Sequence, residues 1–165
     1  MLAAGWGSDP EGNYHRVLRA APLKRRSVGP PRHTELMQTI FPMLRYHDAR
    51  GAVAWLCRVF GFTEVFSTPE SGAFVRHAQL RLGTNIIMLG SVRPGDGIKT
   101  PRDVEAATQA LSVYVENVDE HFRQAEAAGA EVVTRPYTTD FGAREYHVRD
   151  PEGHPWTFSS YLPAQ

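Results

Sequence analysis

The chain has 165 residues, enough for one domain of ordinary size or for two half-domains that share a core. Lysine plus arginine and aspartate plus glutamate number 18 each, so no net charge attracts the chain to nucleic acid or to an anionic membrane. No apolar run approaches the ~18 residues that span a bilayer. The single Cys57 excludes an intramolecular disulfide and suits a reducing compartment. These features predict a globular protein of the cytoplasm that binds neither nucleic acid nor membranes.

Residues 1–36 differ in composition from the rest of the chain. They contain the segment GWGSDPEGN, a basic run from Lys24 to Arg26 and the adjacent Pro30 and Pro31. Adjacent prolines are incompatible with a regular helix. We expect this N-terminal extension to be a flexible solvated arm, residues upstream of the natural start, or a segment that packs on a partner subunit. The folded domain is expected to span residues 37–165.

Residues from about 38 to 92 carry the pattern of one βαβββ unit. The segment TIFPMLRYH is strand-like, and DARGAVAWLCRVFGF places apolar residues at helical spacing before Gly61 as a C-terminal stop. Three strand-like runs follow, TEVFST, GAFVRHAQLRLG and NIIMLGSV, separated by the turn signals PESG and GTN.

The same order of elements starts again between about residues 109 and 162, after the polar connection RPGDGIKTPRDVEAATQ. The second unit reads ALSVYVEN, the helix VDEHFRQAEAAGA, then EVVTRPYTT, REYHVRD and HPWTFSSYL. Placing Asp48 against Glu116 and Gly61 against Gly129 aligns the elements within a residue or so, which indicates a duplicated unit. Neither half can bury its sheet face alone, so the halves must pack together or pair across a dimer. The predicted fold class is α+β, with two βαβββ repeats forming curved mixed sheets around a cleft.

Three segments carry a resemblance to a known family. The strings FPMLRYHDARGAVAWLCRVFGF, HAQLRLGTNIIMLG and above all REYHVRDPEGHPWTF resemble the vicinal oxygen chelate superfamily, which includes glyoxalase I, extradiol dioxygenases and bleomycin-binding proteins. The likeness covers about residues 38 to 162. It implies the glyoxalase/bleomycin resistance fold, a small organic ligand and a homodimer, and for the bleomycin-resistance branch a role in antibiotic resistance.

In metal-using members of that superfamily, the first and fourth strands of each half supply His, Gln or Glu ligands. The resemblance assigns these positions to Phe41, Met88, Ala110 and Thr157. Three of these side chains offer no lone pair suited to a divalent ion, and one thioether is a poor ligand for such an ion. We therefore expect a protein without metal or other cofactor, resembling the metal-free bleomycin-resistance branch.

Strand alternation assigns side chains to the two faces of each sheet independently of the resemblance. In HAQLRL, for example, Ala78 and Leu80 share the core face, which leaves His77 and Gln79 on the other. The predicted ligand-binding residues are Phe41, Met43, Arg45, His77, Gln79, Met88, Tyr114, Glu145 and Thr157. The apolar and aromatic members suit a flat organic ligand. By resemblance Arg45 would anchor an anionic group, and an ion pair with Glu145 is the structural alternative.

The candidate catalytic residues are His77, Glu145 and His147. Two imidazoles and one carboxylate could hold a relocated metal or act as an acid–base set, provided that the strands bring them together. The leading hypothesis is a metal-free small-molecule-binding protein that sequesters or recognises an aromatic or amphipathic compound in a cleft. The alternative is a glyoxalase-like lyase or isomerase, or a dioxygenase, that uses the relocated metal or the acid–base set.

Overall fold

The computed structural model describes residues 38–164, together with a short antiparallel ribbon of β1 (Gly7–Ser8) and β2 (Tyr14–His15). Apart from this ribbon, the extension predicted for residues 1–36 lies outside the described residues. Within the described part of the chain, no helix is long and apolar enough to cross a membrane.

The first half is a βαβββ unit. It consists of β3 (Met43–Tyr46), α1 (Ala49–Phe60), β4 (Thr63–Thr68), β5 (His77–Leu82) and β6 (Asn85–Ser91). The strands form sheet N in the order β3-β6-β5-β4, in which only the pair β3 and β6 is parallel. The first strand is shorter than the predicted TIFPMLRYH segment. It begins after Pro42, whose ring nitrogen carries no hydrogen for the ladder.

The second half repeats this topology. It consists of β7 (Leu111–Tyr114), α3 (Val118–Ala127), β8 (Glu131–Thr138), β9 (Arg144–Arg149) and β10 (Pro155–Ser159). The strands form sheet C in the order β7-β10-β9-β8, again with one parallel pair, β7 and β10. The connection between the halves contains a short helix that the sequence pattern did not predict, α2 (Pro101–Val104). Two βαβββ repeats with mixed sheets are thus confirmed.

Both long helices begin at a side-chain cap. The Asp48 carboxylate accepts a hydrogen bond from the backbone N–H of Gly51, and the Asn117 side chain accepts one from the N–H of Glu120. The structural equivalent of Asp48 is therefore Asn117, one residue beyond the Glu116 of the predicted alignment.

The two halves share one core, built on the helix-facing sides of both sheets. Phe60 of α1 packs against Trp156 and Phe158 of the other half, with ring centroids 5.3 and 4.7 Å apart. In α3, His121 Nδ1 lies 2.6 Å from the Tyr146 hydroxyl, and its Nε2 lies 3.5 Å from the Phe60 carbonyl oxygen. Burial lowers the pKa of His121. The halves of one chain therefore meet through their helices and not through the opposite sheet faces.

The DPEGH turn joins the halves at a buried carboxylate. Asp150 Oδ2 accepts hydrogen bonds from the Tyr46 hydroxyl at 2.7 Å and from Trp156 Nε1 at 3.1 Å, and His154 Nδ1 lies 3.0 Å from the same oxygen. Burial alone would raise the pKa of Asp150, but the hydrogen bonds from His154, Tyr46 and Trp156 hold that pKa below its ordinary value. The most specific motif of the sequence is thus part of the core.

Candidate functional site

A cleft of about 1100 Å³ lies between the halves, beside the edge strands β3 and β7. Phe41 and Met43 line it from the first half, and Tyr114 lines it from the second. These three side chains are 43, 44 and 47% exposed, so each presents apolar surface that a ligand can cover. The structure therefore brings together three members of the predicted aromatic and apolar wall. Met88, the fourth, lies opposite Met43 in the register of β3 and β6 but does not line the cleft.

The side of each sheet turned away from the helices is called here the outer face. On sheet N it carries Arg45, His77 and Gln79, whose neighbours along the strands are buried in the core. Arg45 is itself buried, and its Nε lies 3.3 Å from Oδ2 of Asp96 in the connection between the halves. His77 Nε2 lies 3.1 Å from Gln79 Nε2. The ion-pair partner of Arg45 is therefore Asp96 and not Glu145.

The outer face of sheet C carries Glu145, His147 and Thr157, which Tyr137 joins into one network. The Thr157 hydroxyl lies 3.0 Å from His147 Nδ1, and His147 Nε2 lies 3.1 Å from the Tyr137 hydroxyl. The Tyr137 hydroxyl donates to Glu145, and this hydrogen bond raises the pKa of Tyr137. Because Tyr137 gives its only proton to Glu145, it accepts from His147 Nε2, and in the neutral imidazole Nδ1 then accepts from Thr157.

Tyr137 was not predicted from the sequence, although it completes this network. The pairing of β8 with β9 shifts register between Val132 and Thr134 and again between Thr134 and Tyr137. Each shift adds one residue to β8, and the two together move the pairing by two residues and bring Tyr137 opposite Glu145. Pro136, which interrupts the strand run, was the one sequence signal of this irregularity.

The three candidate catalytic residues do not lie together in one site. Within residues 38–164, no hydrogen bond, ion pair or ring contact joins His77 of sheet N to Glu145 or His147 of sheet C. The described residues also contain no group of three or more His, Cys, Asp or Glu side chains placed to hold a metal ion. Only Glu145 and His147 lie together, with His147 Nε2 3.4 Å from Glu145 Oε1.

The positions at which the resemblance implies metal ligands do not fit a divalent ion. In the parallel pairs, Met43 lies opposite Met88 and Ser112 lies opposite Thr157. Phe41 and Ala110, the first-strand positions of the predicted ligand set, precede β3 and β7. None of these residues has an imidazole or a carboxylate, the donors that bind such ions in proteins.

Comparison with known proteins identifies relatives by sequence. Residues 33–158 match the family model described as Glyoxalase/Bleomycin resistance protein/Dioxygenase superfamily. An uncharacterized protein of Mycobacterium bovis is 31% identical over 119 residues, which cover 70% of this chain and 78% of the relative. An uncharacterized protein of Mycobacterium tuberculosis strain H37Rv is also 31% identical over 119 residues, with 70% of each chain covered.

Solved structures show the same architecture. TioX from Micromonospora sp. ML1 is 35% identical, with a TM-score of 0.60 over 78% of this chain and 99% of that chain. A mutant of FosX, the fosfomycin resistance protein of Listeria monocytogenes, was solved with Mn(II) and 1S,2S-dihydroxypropylphosphonic acid. It is 15% identical, with a TM-score of 0.57 over 74% of this chain and 88% of that chain, and it is similar in fold alone.

Proposed function

Because this chain belongs to the glyoxalase/bleomycin resistance protein/dioxygenase superfamily, we propose that it is a metal-free small-molecule-binding protein of the bleomycin-resistance type, acting in the cytoplasm. It would sequester or recognise an aromatic or amphipathic compound, and sequestration of a toxic compound would give resistance to it. The observation that carries the proposal is the cleft lined by Phe41, Met43 and Tyr114. Ligand sites are mostly apolar, with a few polar groups that fix orientation.

Polar groups for orientation lie next to the cleft on both sheets. Arg45 follows Met43 by two residues on the same face, a distance of about 7 Å along a strand. On the other sheet, Thr157 lies opposite Ser112, which lines the cleft. A ligand whose apolar part fills the cleft would therefore reach a guanidinium on one side and the network of Thr157 and His147 on the other.

A homodimer is part of the proposal. The outer edges of β3 and β7 have no partner strand among the described residues, and both border the cleft. Ile40 before β3 is 82% exposed, and Met43 and Tyr114 are nearly half exposed. Unpaired edges with apolar side chains favour association with a second chain. Since the outer faces do not pack on each other within one chain, a second copy would enclose the ligand, and light scattering should give twice the mass of the chain.

The test of the proposed function uses a neutral apolar probe, the dye N-phenyl-1-naphthylamine. Its fluorescence should rise saturably with the full-length protein, and Tyr114→Ala should weaken binding about three- to tenfold through the loss of one aromatic contact. Phe74→Ala is the matched control, because Phe74 is 49% exposed and does not line the cleft. Equal effects of the two substitutions would contradict binding in the cleft.

Elemental analysis of protein purified without a tag or chelator tests the metal-free part of the proposal. Less than about a tenth of an equivalent of iron, nickel, zinc or manganese is expected, even after these ions are added, because the strand positions lack suitable donors. One equivalent of metal per chain in the wild type, lost in His147→Gln, would contradict the metal-free proposal and favour a metal-dependent enzyme.

The network on sheet C favours acid–base catalysis as a second candidate function. His147 is held between two hydroxyl groups in one tautomer, with Glu145 beside it, which is an arrangement suited to proton transfer. Turnover of a glyoxalase-type hemithioacetal that is lost in His147→Gln but retained in Tyr114→Ala would support this function over sequestration.

A further inference from the structure

Arg93, directly after β6, has an unsatisfied buried donor. Its Nη2 donates a hydrogen bond to the backbone carbonyl of Arg76. Among the residues that the structure describes, its Nε is a buried side-chain nitrogen without any hydrogen-bond partner. A buried charged donor that has lost water and gained no acceptor is costly, and an ordered water or a bound ion is a common way in which folded proteins satisfy it.

A second guanidinium converges on the same place because Gly90 has no side chain. Gly90 lies opposite Arg45 in the parallel pair of β3 and β6. A Cβ added to Gly90 would lie 3.1 Å from Arg45 Nη1 and 2.9 Å from the Arg76 carbonyl oxygen, which is the oxygen that accepts from Arg93. The two arginines therefore approach each other over the bare backbone of Gly90.

The charges at this place are not balanced. Arg45 forms an ion pair with Asp96, but Arg93 forms no ion pair within residues 38–164. Burial lowers the pKa of the neighbouring His77, and the positive charges of Arg45 and Arg93 lower it further. Two guanidinium groups that act on the same imidazole give this part of the outer face of sheet N a positive potential.

We propose that Arg93 and Arg45 bind an oxyanion, a carboxylate or a phosphate group, over Gly90 on the outer face of sheet N. The guanidinium fork matches the oxygens of both groups, and the unpartnered Nε supplies a donor that is already dehydrated. Arg45 is about 7 Å from Met43 along the strand. The anion is therefore the acidic group of the cleft ligand, an inference that rests on the proposed function for the identity of the rest of that ligand.

Titration calorimetry on the full-length protein, with inorganic phosphate and with acetate at constant ionic strength, tests the site. At least one of the two anions should bind the wild type, and the tighter one identifies the group that the site takes. Arg93→Gln should weaken that binding about tenfold or more through the loss of a charge-assisted donor pair. Arg81→Gln is the matched control, since Arg81 is exposed on β5 of the same sheet, and it should change the affinity by less than about twofold.

A second readout does not depend on any variant folding. The Nε–H resonance of Arg93 in the wild-type protein should shift on addition of the anion that binds, because this hydrogen gains an acceptor. Absence of binding of both anions, or equal losses in Arg93→Gln and Arg81→Gln, would overturn the proposal.

The outcome is separable from that of the dye experiment. Binding of the anion without binding of the dye would retain the oxyanion site and reject the apolar cleft as a ligand site. Binding of the dye without binding of either anion would retain the apolar cleft as a ligand site and reject the oxyanion site.

Discussion

The outer faces of the two sheets have the same strand order, but different side chains surround their histidines. On sheet N the polar groups are the guanidinium groups of Arg45 and Arg93 beside His77. On sheet C they are the carboxylate of Glu145 and the hydroxyls that surround His147. The helix-facing sides, in contrast, are apolar in both halves and form one core. The helix-facing side of each sheet therefore maintains the fold. The outer face is not needed for the core, so its side chains can differ between the two halves.

The largest expected effect comes from a substitution in the core that the two halves share. Asp150→Ala removes the acceptor of Tyr46, Trp156 and His154 and leaves three buried donors without a partner. We expect the free energy of unfolding to fall by about 3–5 kcal/mol, as for the loss of one partner of a buried ion pair. Urea denaturation at neutral pH measures this change.

Asp140→Ala is the control for that measurement, because Asp140 is an exposed aspartate in the loop before β9. It should change stability by less than about 0.5 kcal/mol, the usual range for surface substitutions. Comparable losses in the two variants would mean that the DPEGH turn does not join the halves in the way described.

A smaller effect should appear when the pH is lowered. The pKa of His121 is lower in the folded than in the unfolded chain, where it is about 6.5, so the unfolded chain binds more protons as the pH falls below that value. His121 thus contributes a loss of stability as the pH drops from about 7.5 to 5.5. In His121→Gln this loss should be reduced, as measured by denaturation at both pH values. An unchanged slope would show that protonation of this histidine is not coupled to unfolding.

The smallest expected effect is a change in the pKa of Tyr137, on the outer face of sheet C. Because the hydrogen bond to Glu145 is the main reason for the raised pKa of Tyr137, Glu145→Gln should lower that pKa toward the ordinary value of about 10. An NMR titration of ring-labelled tyrosine measures it. Glu131→Gln, in exposed β8, is the control and should leave the titration unchanged. A Tyr137 pKa that does not respond to either substitution would contradict the network on sheet C.

Most of the fold could be predicted because it depends on local periodicity. The duplicated order of strands and helices follows from alternation of period two, helical spacing and turn residues, all of which are visible along the chain. The helix α2 could not be predicted, since it has four residues in a polar connection. Thr100 and Asp103 form a capping box that gives this helix its start, but a single turn has no periodicity to detect.

The candidate site could be predicted less completely, because it depends on contacts between distant segments. Alternation placed His77, Gln79 and Glu145 on the faces where they lie. It could not show that Asp96, in an irregular connection, pairs with Arg45, nor that the two halves pack on each other through Phe60 of α1. Tyr137 was missed because two register shifts bring it opposite Glu145, whereas an unbroken ladder from the pair Glu131 and Arg149 would bring it opposite residue 143.

The hydrogen bond between Tyr46 and Asp150 joins residues 104 positions apart, so it can form only after nearly the whole domain has been synthesised. The first half is complete at Ser91, yet Phe60 on its helix lacks two of its aromatic neighbours until Trp156 and Phe158 have left the ribosome. Multidomain chains usually fold their N-terminal domain first, but here the earlier half has no finished core of its own. The first half of a nascent chain therefore lacks part of its apolar packing until β10 has emerged.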